Sequence, residues 1–223
     1  MLKLLHLCDS LFPLGAFAYS DGLETAAATG AIRDADSLRV WIAVCLDETI
    51  GRTEGPIAFQ AWSMANEQRS DALAALDADA IALRPSASGR RSSRAMGQRL
   101  LATWRALYPD ASLDALHERA REGLRAPAFP IAFAVVCAAS GVDRMEMLHA
   151  LAYTRLAATV SAAMRLVAVG QGEAHALLAR ALDRVPATID AIAARGGMPE
   201  SFTPALDIAA MSQQYLHSRL FRS

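Results

Sequence analysis

Two places in the sequence bring together side chains able to do chemistry. Near the start, His6, Cys8 and Asp9 place an imidazole, a thiol and a carboxylate in one short span. Such donors suit a soft or borderline metal ion. A metal centre needs three or four converging ligands, and no further ligand is close in sequence. The alternative, that His6 and Cys8 are ordinary members of an apolar first helix, is therefore favoured. In the middle of the chain, Arg84, Arg90, Arg91, Arg94 and Arg99 form the strongest local charge. Of these, Arg90, Arg91 and Arg94 could line one face and contact phosphate or an acidic protein. No aromatic residue interleaves with them, which counts against a single-strand nucleic-acid groove, and a solvated loop and helix start is the simpler reading. His149 sits in an apolar stretch and reads as a core or interface histidine.

The wider search for catalytic motifs is negative. There is no GxxxxGK[ST] phosphate loop, no HExxH helix and no GxSxG elbow. Gly170-x-Gly172 lacks the preceding strand and third glycine of a dinucleotide site. Asp47, Glu48 and Glu54 lie near a helix break without forming a paired-carboxylate or nucleophile–base arrangement. The expectation is a chain that is not an enzyme and has neither cofactor nor resident metal.

The elements that would position any site are helices. Leu38, Trp41, Ile42, Cys45, Leu46, Thr49 and Ile50 fall on one face of a helix over 36–50. Asp34, Asp36 and Ser37 offer caps at its start, and Gly51 is expected to end it. The next helix is expected near Pro56, another covers 70–83, and Arg84–Arg91 is the best loop candidate. Helices follow over 92–107, from Asp110 or Ser112 up to Gly123, and over 130–139. The longest candidate, 142–169, is apolar on most sides and is expected to be the hub. Gly170-Gln171-Gly172 breaks it, and shorter helices follow at 173–184, 187–195 and 203–215. The fold class is thus all-α: one domain, 1–223, a bundle of about ten helices around a long central apolar helix, with a mobile tail at 216–223.

Composition agrees. Of 223 residues, 53% are hydrophobic, much of it alanine, the best helix former. With 22 basic and 23 acidic residues the net charge is −1, so no global field draws the chain to nucleic acid or an anionic membrane. Three scattered cysteines without a CxxC pair fit a reducing, cytoplasmic setting. The uncharged run 126–142 is short for a membrane span and is broken by Pro127, Pro130 and Gly141. No signal peptide is expected from the short apolar start.

One string is more particular than a generic turn and cap. Pro13-Leu14-Gly15-Ala16-Phe17-Ala18-Tyr19-Ser20-Asp21-Gly22-Leu23-Glu24 has a proline and a glycine suited to a tight step. Asp21 and Glu24 have the spacing of a capping box. The string resembles the signature of the UreF family of urease accessory proteins, with Ala16 where the family usually has a second glycine. Two further stretches are similar: 163–171, a long helix ending in Gly170-Gln171, and the end of the chain from Asp207 through Arg219-Leu220-Phe221-Arg222-Ser223. Arg165 stands where lysine is common, and Gln213-Gln214 where His-Glu is often found, so a metal-handling role for that histidine is not carried over.

The resemblance implies a helical, dimeric adaptor. It would bind UreD (also called UreH) and recruit or regulate the GTPase UreG, and so support nickel insertion into apo-urease. Partner-binding positions carried over are Pro13, Gly15, Phe17, Tyr19, Ser20, Gly22, Glu24, Arg165, Gly170, Gln171, Arg219, Leu220, Phe221, Arg222 and Ser223. The tail, with its arginines and aromatic, is expected to order when UreD binds. Otherwise it forms a final helix packed on its own core. A rival reading, a helical ligand-binding transcriptional regulator, needs a basic recognition helix near one end. The first fifty residues offer only Lys3, Arg33 and Arg39.

Overall fold

A computed structural model describes residues 1–15, 19–114, 116 and 126–221. Among these residues there are eleven α-helices with defined bounds and no strand, the all-α single domain expected; residues 111–114 are helical too, and most of the helix expected up to Gly123 lies outside the described residues. The eleven are α1 (Leu2–Cys8), α2 (Leu23–Ala28), α3 (Ala35–Val44), α4 (Gly55–Asn66), α5 (Ser70–Ala82) and α6 (Ala87–Leu107). After them come α7 (Phe129–Ala139), α8 (Arg144–Leu166), α9 (Gln171–Leu182), α10 (Val185–Ala194) and α11 (Pro204–Ser212).

The starts follow local chemistry. Asp34 caps α3, its side chain accepting from Ser37 N at 2.9 Å while Ser37 Oγ serves the backbone N–H of Asp34. Asp143 caps α8 by accepting from Met145 N. Ser86 accepts from Gly89 N at 3.2 Å, so α6 begins at Ala87. Of the stretch expected as a loop, residues 84–86 are outside any helix and residues 87–91 are already helical, because a serine cap outweighs the turn-rich composition.

Gly51 does not stop α3. The chain continues as a π-helix over Cys45–Glu54 directly into α4. Pro56 has no N–H to give to the preceding turn, and the change from π to α geometry falls just before it. The glycines here serve packing against α10. A Cβ on Gly55 would stand 2.6 Å from Ile192 Cδ1. The widened turns bring Glu54 inward, where it is 1% exposed.

The helix buried on every side is α7 rather than the long α8. Nine of the eleven residues of α7 are buried, and it packs chiefly on α4 and α6. The longer α8 buries Leu148, Leu151, Leu156 and Val160 along one face, leaving His149 and Tyr153 exposed. An apolar run read as all-round burial was in part a stripe, since its alanines and threonines tolerate half-exposure. No described helix is long and apolar enough to cross a membrane.

The sequence's chemical candidates resolve as structure. His6 Nδ1 lies 3.0 Å from Tyr108 Oη, and Asp9 accepts from Leu11 N in a local turn. Arg94 pairs with Asp77 at 2.8 Å, Arg90 donates to Arg84 O and Pro85 O, and Arg84 is drawn into the interior. Much of the arginine cluster is thus spent on the chain's own backbone and acids. Among the described residues no group of three or more His, Cys, Asp or Glu could hold a metal.

Candidate functional site

The string around residues 13–24 and the end of the chain meet in space. Asp21 and Gly22 both take left-handed backbone, with φ of 48° and 91°. Gly22 is the N-cap of α2, and no side chain caps that helix. The capping box expected of Asp21 and Glu24 is therefore absent, and both acids work over long range. Asp and Gly are the residue types that tolerate this backbone. A Cβ on Gly22 would come within 2.8 Å of Ala210 N, so only glycine lets α11 lie this close to α2.

Glu24 is 6% exposed and holds the last part of the chain. Its carboxylate accepts from Gln213 Nε2 at 2.9 Å and from Phe221 N at 3.3 Å, and also from Leu220 N. Charge-assisted bonds of this kind are about twice as strong as neutral ones. Phe221 is buried, 4% exposed, with the Arg165 guanidinium carbon 4.5 Å from its ring centroid. Arg165 is itself exposed, and a cation–π contact at an exposed site contributes about 0.5–1 kcal/mol.

Asp21 enters a buried ionic chain. Arg155 Nη2 donates to Asp21 Oδ2 at 2.6 Å and Arg155 Nε to Glu54 Oε2 at 2.9 Å; Arg84 Nη2 donates to Glu54 Oε1 at 2.5 Å. Burial opposes the ionised form of Asp21, but the charges of Arg155 and Arg84 outweigh it and hold the carboxyl below its usual value. Its side chain is ringed by protein yet keeps 41% of its exposure, so part of that field is screened. Burial likewise works against the charge on Arg155, and Glu54 and Asp21 more than restore it.

Burial pushes the Cys45 thiol, beside this chain, up to about 12, with Arg155 offsetting only part of it. Burial also raises Cys8 and Cys137. All three cysteines are free thiols and remain protonated at neutral pH, without the thiolate a nucleophile needs.

The ionic chain gives an acid-limb prediction. A carboxyl whose folded pKa lies below its unfolded value of about 3.9 adds stability above that pH and loses it as pH falls through the folded value. Asp21→Asn, which tolerates the same left-handed backbone, is expected to lower the urea midpoint above about pH 4, with the gap from the wild type closing below it. A gap of constant size from pH 6 to pH 2.5 would contradict this.

The remaining expected positions divide plainly. Ser20, Gly22 and Glu24 are buried, Tyr19 is half-buried against the core, and Pro13 is exposed. Gly15 has φ 72° and lies beside the Arg99 guanidinium. Gly170 is the N-cap of α9, and both it and Gln171 are exposed. Arg165, Arg219 and Leu220 are exposed. Phe17, Arg222 and Ser223 lie outside the described residues.

What the sequence reading missed is the outer face of this assembly. Ile208, Met211 and Tyr215 recur at helical spacing, flanked by Phe202 and Leu220. All five are exposed, Phe202 and Tyr215 by 81% each. Of α11 itself only Ala209 is buried. The signal was available in the spacing of those three residues, but an apolar stripe reads as core until something shows which way it faces. The Asp21–Arg155–Glu54–Arg84 chain carried no sequence signal, since its members are 30 to 134 positions apart.

The UreF family model matches residues 32–182, the helical body between the two ends just described. Full-length likeness covers the ends as well. The chain is 32% identical to the urease accessory protein UreF of Methylibium petroleiphilum over 227 residues, covering 100% of this chain and 94% of that one. It is 32% identical to the UreF of an Azoarcus species over 230 residues, covering 100% and 95%. With the UreF of Dechloromonas aromatica it shares 33% over 232 residues, covering 100% and 97%.

Proposed function

The chain belongs to the UreF family of urease accessory proteins, and from that premise we propose that it is the adaptor linking UreD (UreH) and the GTPase UreG to apo-urease during nickel insertion. Its role lies in urease maturation, as an accessory protein rather than a catalyst. In this reading it acts as a cytoplasmic homodimer and nickel is cargo. UreD grips the outer face of α11 and the tail from Arg219 to Ser223. Arg165, Gly170 and Gln171 face the GTPase. The 13–24 string supports the gripping face from beneath, through Gly22 and Glu24.

The observation that carries the reading is the row of exposed Phe202, Ile208, Met211, Tyr215 and Leu220. Aromatic and methionine side chains are enriched at interfaces and supply their anchors. Large apolar side chains left exposed along one segment of a folded protein point to a binding site. Supporting it, the inner side of the same segment is tied down by buried polar contacts, so the anchors are presented on a positioned backbone.

Co-expression with UreD and UreG is expected to yield a three-way complex on co-purification. Deleting residues 218–223 is expected to cut UreD capture; unchanged affinity removes the docking role of the tail. Arg165→Ala is expected to weaken UreG recruitment about tenfold or more, as loss of an interface arginine does, and to lower urease activation. Wild-type values in both assays would end the role assigned to Arg165.

A further inference from the structure

We propose that the π-helix Cys45–Glu54 is held in register from across the fold: Arg195 and the link after α10 cap the helix break at Pro56, and so act as positioning residues for Glu54 in the ionic chain. Pro56 has no N–H. In α geometry that N–H would go to Arg52 O, and in π geometry to Gly51 O. Both carbonyls are met from outside the helix instead. Arg195 Nη2 donates to Gly51 O at 2.6 Å, and Glu200 N donates to Arg52 O at 2.7 Å. Gly51 is buried, so its carbonyl has little water to turn to, and an unmet buried acceptor is costly.

π geometry mostly occurs as single-turn insertions, whereas here it runs for ten residues, so more than local preference sustains it. Further ties come from the same part of the chain. Arg184 pairs with both oxygens of Asp47 at 2.7 and 2.8 Å. Arg52 pairs with Glu200 at 2.9 Å, and Thr53 Oγ1 donates to Glu200 O at 2.5 Å. Within the helix, Gly55 N donates to Ile50 O, five residues back. One residue nearer lies Gly51 O, the acceptor that α geometry would use. Arg195 occupies that acceptor and so leaves Gly55 on Ile50.

The register matters because Glu54 is the last residue of the π stretch, and its carboxylate meets both Arg84 and Arg155. An α-helix turns by about 100° per residue, and the wider π-helix turns by less. A return of the stretch to α geometry therefore aims Glu54 away from the two guanidinium groups. Arg195 acts on the ionic chain through the backbone that carries Glu54.

The purified full chain suffices for the test. Arg195 is exposed, so Arg195→Ala is expected to leave the core intact. It is expected to move the Gly55 amide from Ile50 O to Gly51 O, read by NMR as a change in the carbonyl carbon that couples to Gly55 N across its hydrogen bond. The unfolding equilibrium constant in urea is expected to rise by about tenfold. Pro56→Ala supplies the missing N–H, and Gly51 O is then served from within the helix in either register. In that background Arg195→Ala is expected to raise the constant by less than about threefold. A Gly55 amide that stays on Ile50 O, or the same loss in both backgrounds, would overturn the capping role and leave Arg195 a packing residue. The coupling between Glu54 and Arg155 in a double-mutant cycle is expected to fall in Arg195→Ala; an unchanged coupling would remove the positioning role.

Discussion

Glu54→Ala is expected to destabilise the protein by about 3–5 kcal/mol, the cost of removing one partner from a buried ion pair, and to lower Tm by roughly 6–20 °C. Glu54 is 1% exposed at its side chain, Arg155 13% and Arg84 18%. Each guanidinium is held at 2.5–2.9 Å from a different oxygen of one carboxylate. Removing that carboxylate leaves Arg84 without its acid and Arg155 with the half-exposed Asp21 alone. The large effect thus comes from stranded charge rather than from a high value of the pair itself. A Glu54–Arg155 double-mutant cycle by urea unfolding is expected to give a coupling of about 1–3 kcal/mol. Additivity within about 0.5 kcal/mol would mean the two side chains do not act together.

Ile208→Asp with Met211→Asp is expected to leave Tm within about 2 °C, since exposed positions change stability by about 0.5 kcal/mol or less. Capture of UreD is expected to fall by about 30-fold or more, the effect of losing an anchor worth about 2 kcal/mol. The two side chains are 59% and 39% exposed and sit on the outward side of α11. A titration of UreD against both proteins, with a matched pair of aspartates on the exposed face of α5 as control, separates loss of a specific grip from added charge. Wild-type affinity in the α11 variant would move the UreD site elsewhere.

Several long-range arrangements come from backbone choices that are local. Gly22 is required because α11 crosses α2 with backbone in contact. The π stretch Cys45–Glu54 is what turns Glu54 towards Arg155. In the proposed adaptor, substitutions at such positions are expected to act on partner binding through the placement of α11, without touching a partner. Gly22 and Glu24 join the 13–24 string to the far end of the chain: the string holds α11 and the residues after it in place.

The sequence by itself determined that this is an all-helical chain, because its periodicities and caps are local properties. Asp34 before a 3.6-residue stripe makes α3 wherever the helix ends up. It also determined family membership, since the motifs at 13–24, 163–171 and 207–223 are strings of residues and need no geometry to be read; that membership sets aside the DNA-binding alternative. It misjudged Asp21–Glu24 as a cap and Gly51 as a stop; the long helix does pack against most of the other elements, though it buries one face rather than its whole girth. In both cases a local preference was overruled by a neighbour that only folding supplies: Arg155 and the chain's end, and α10. Only the tertiary structure decided which way the stripe on α11 faces and which acids the arginines meet. The physical reason is that burial and ion pairing depend on what lies across the gap, and the partners of Glu24 are 189 to 197 residues away.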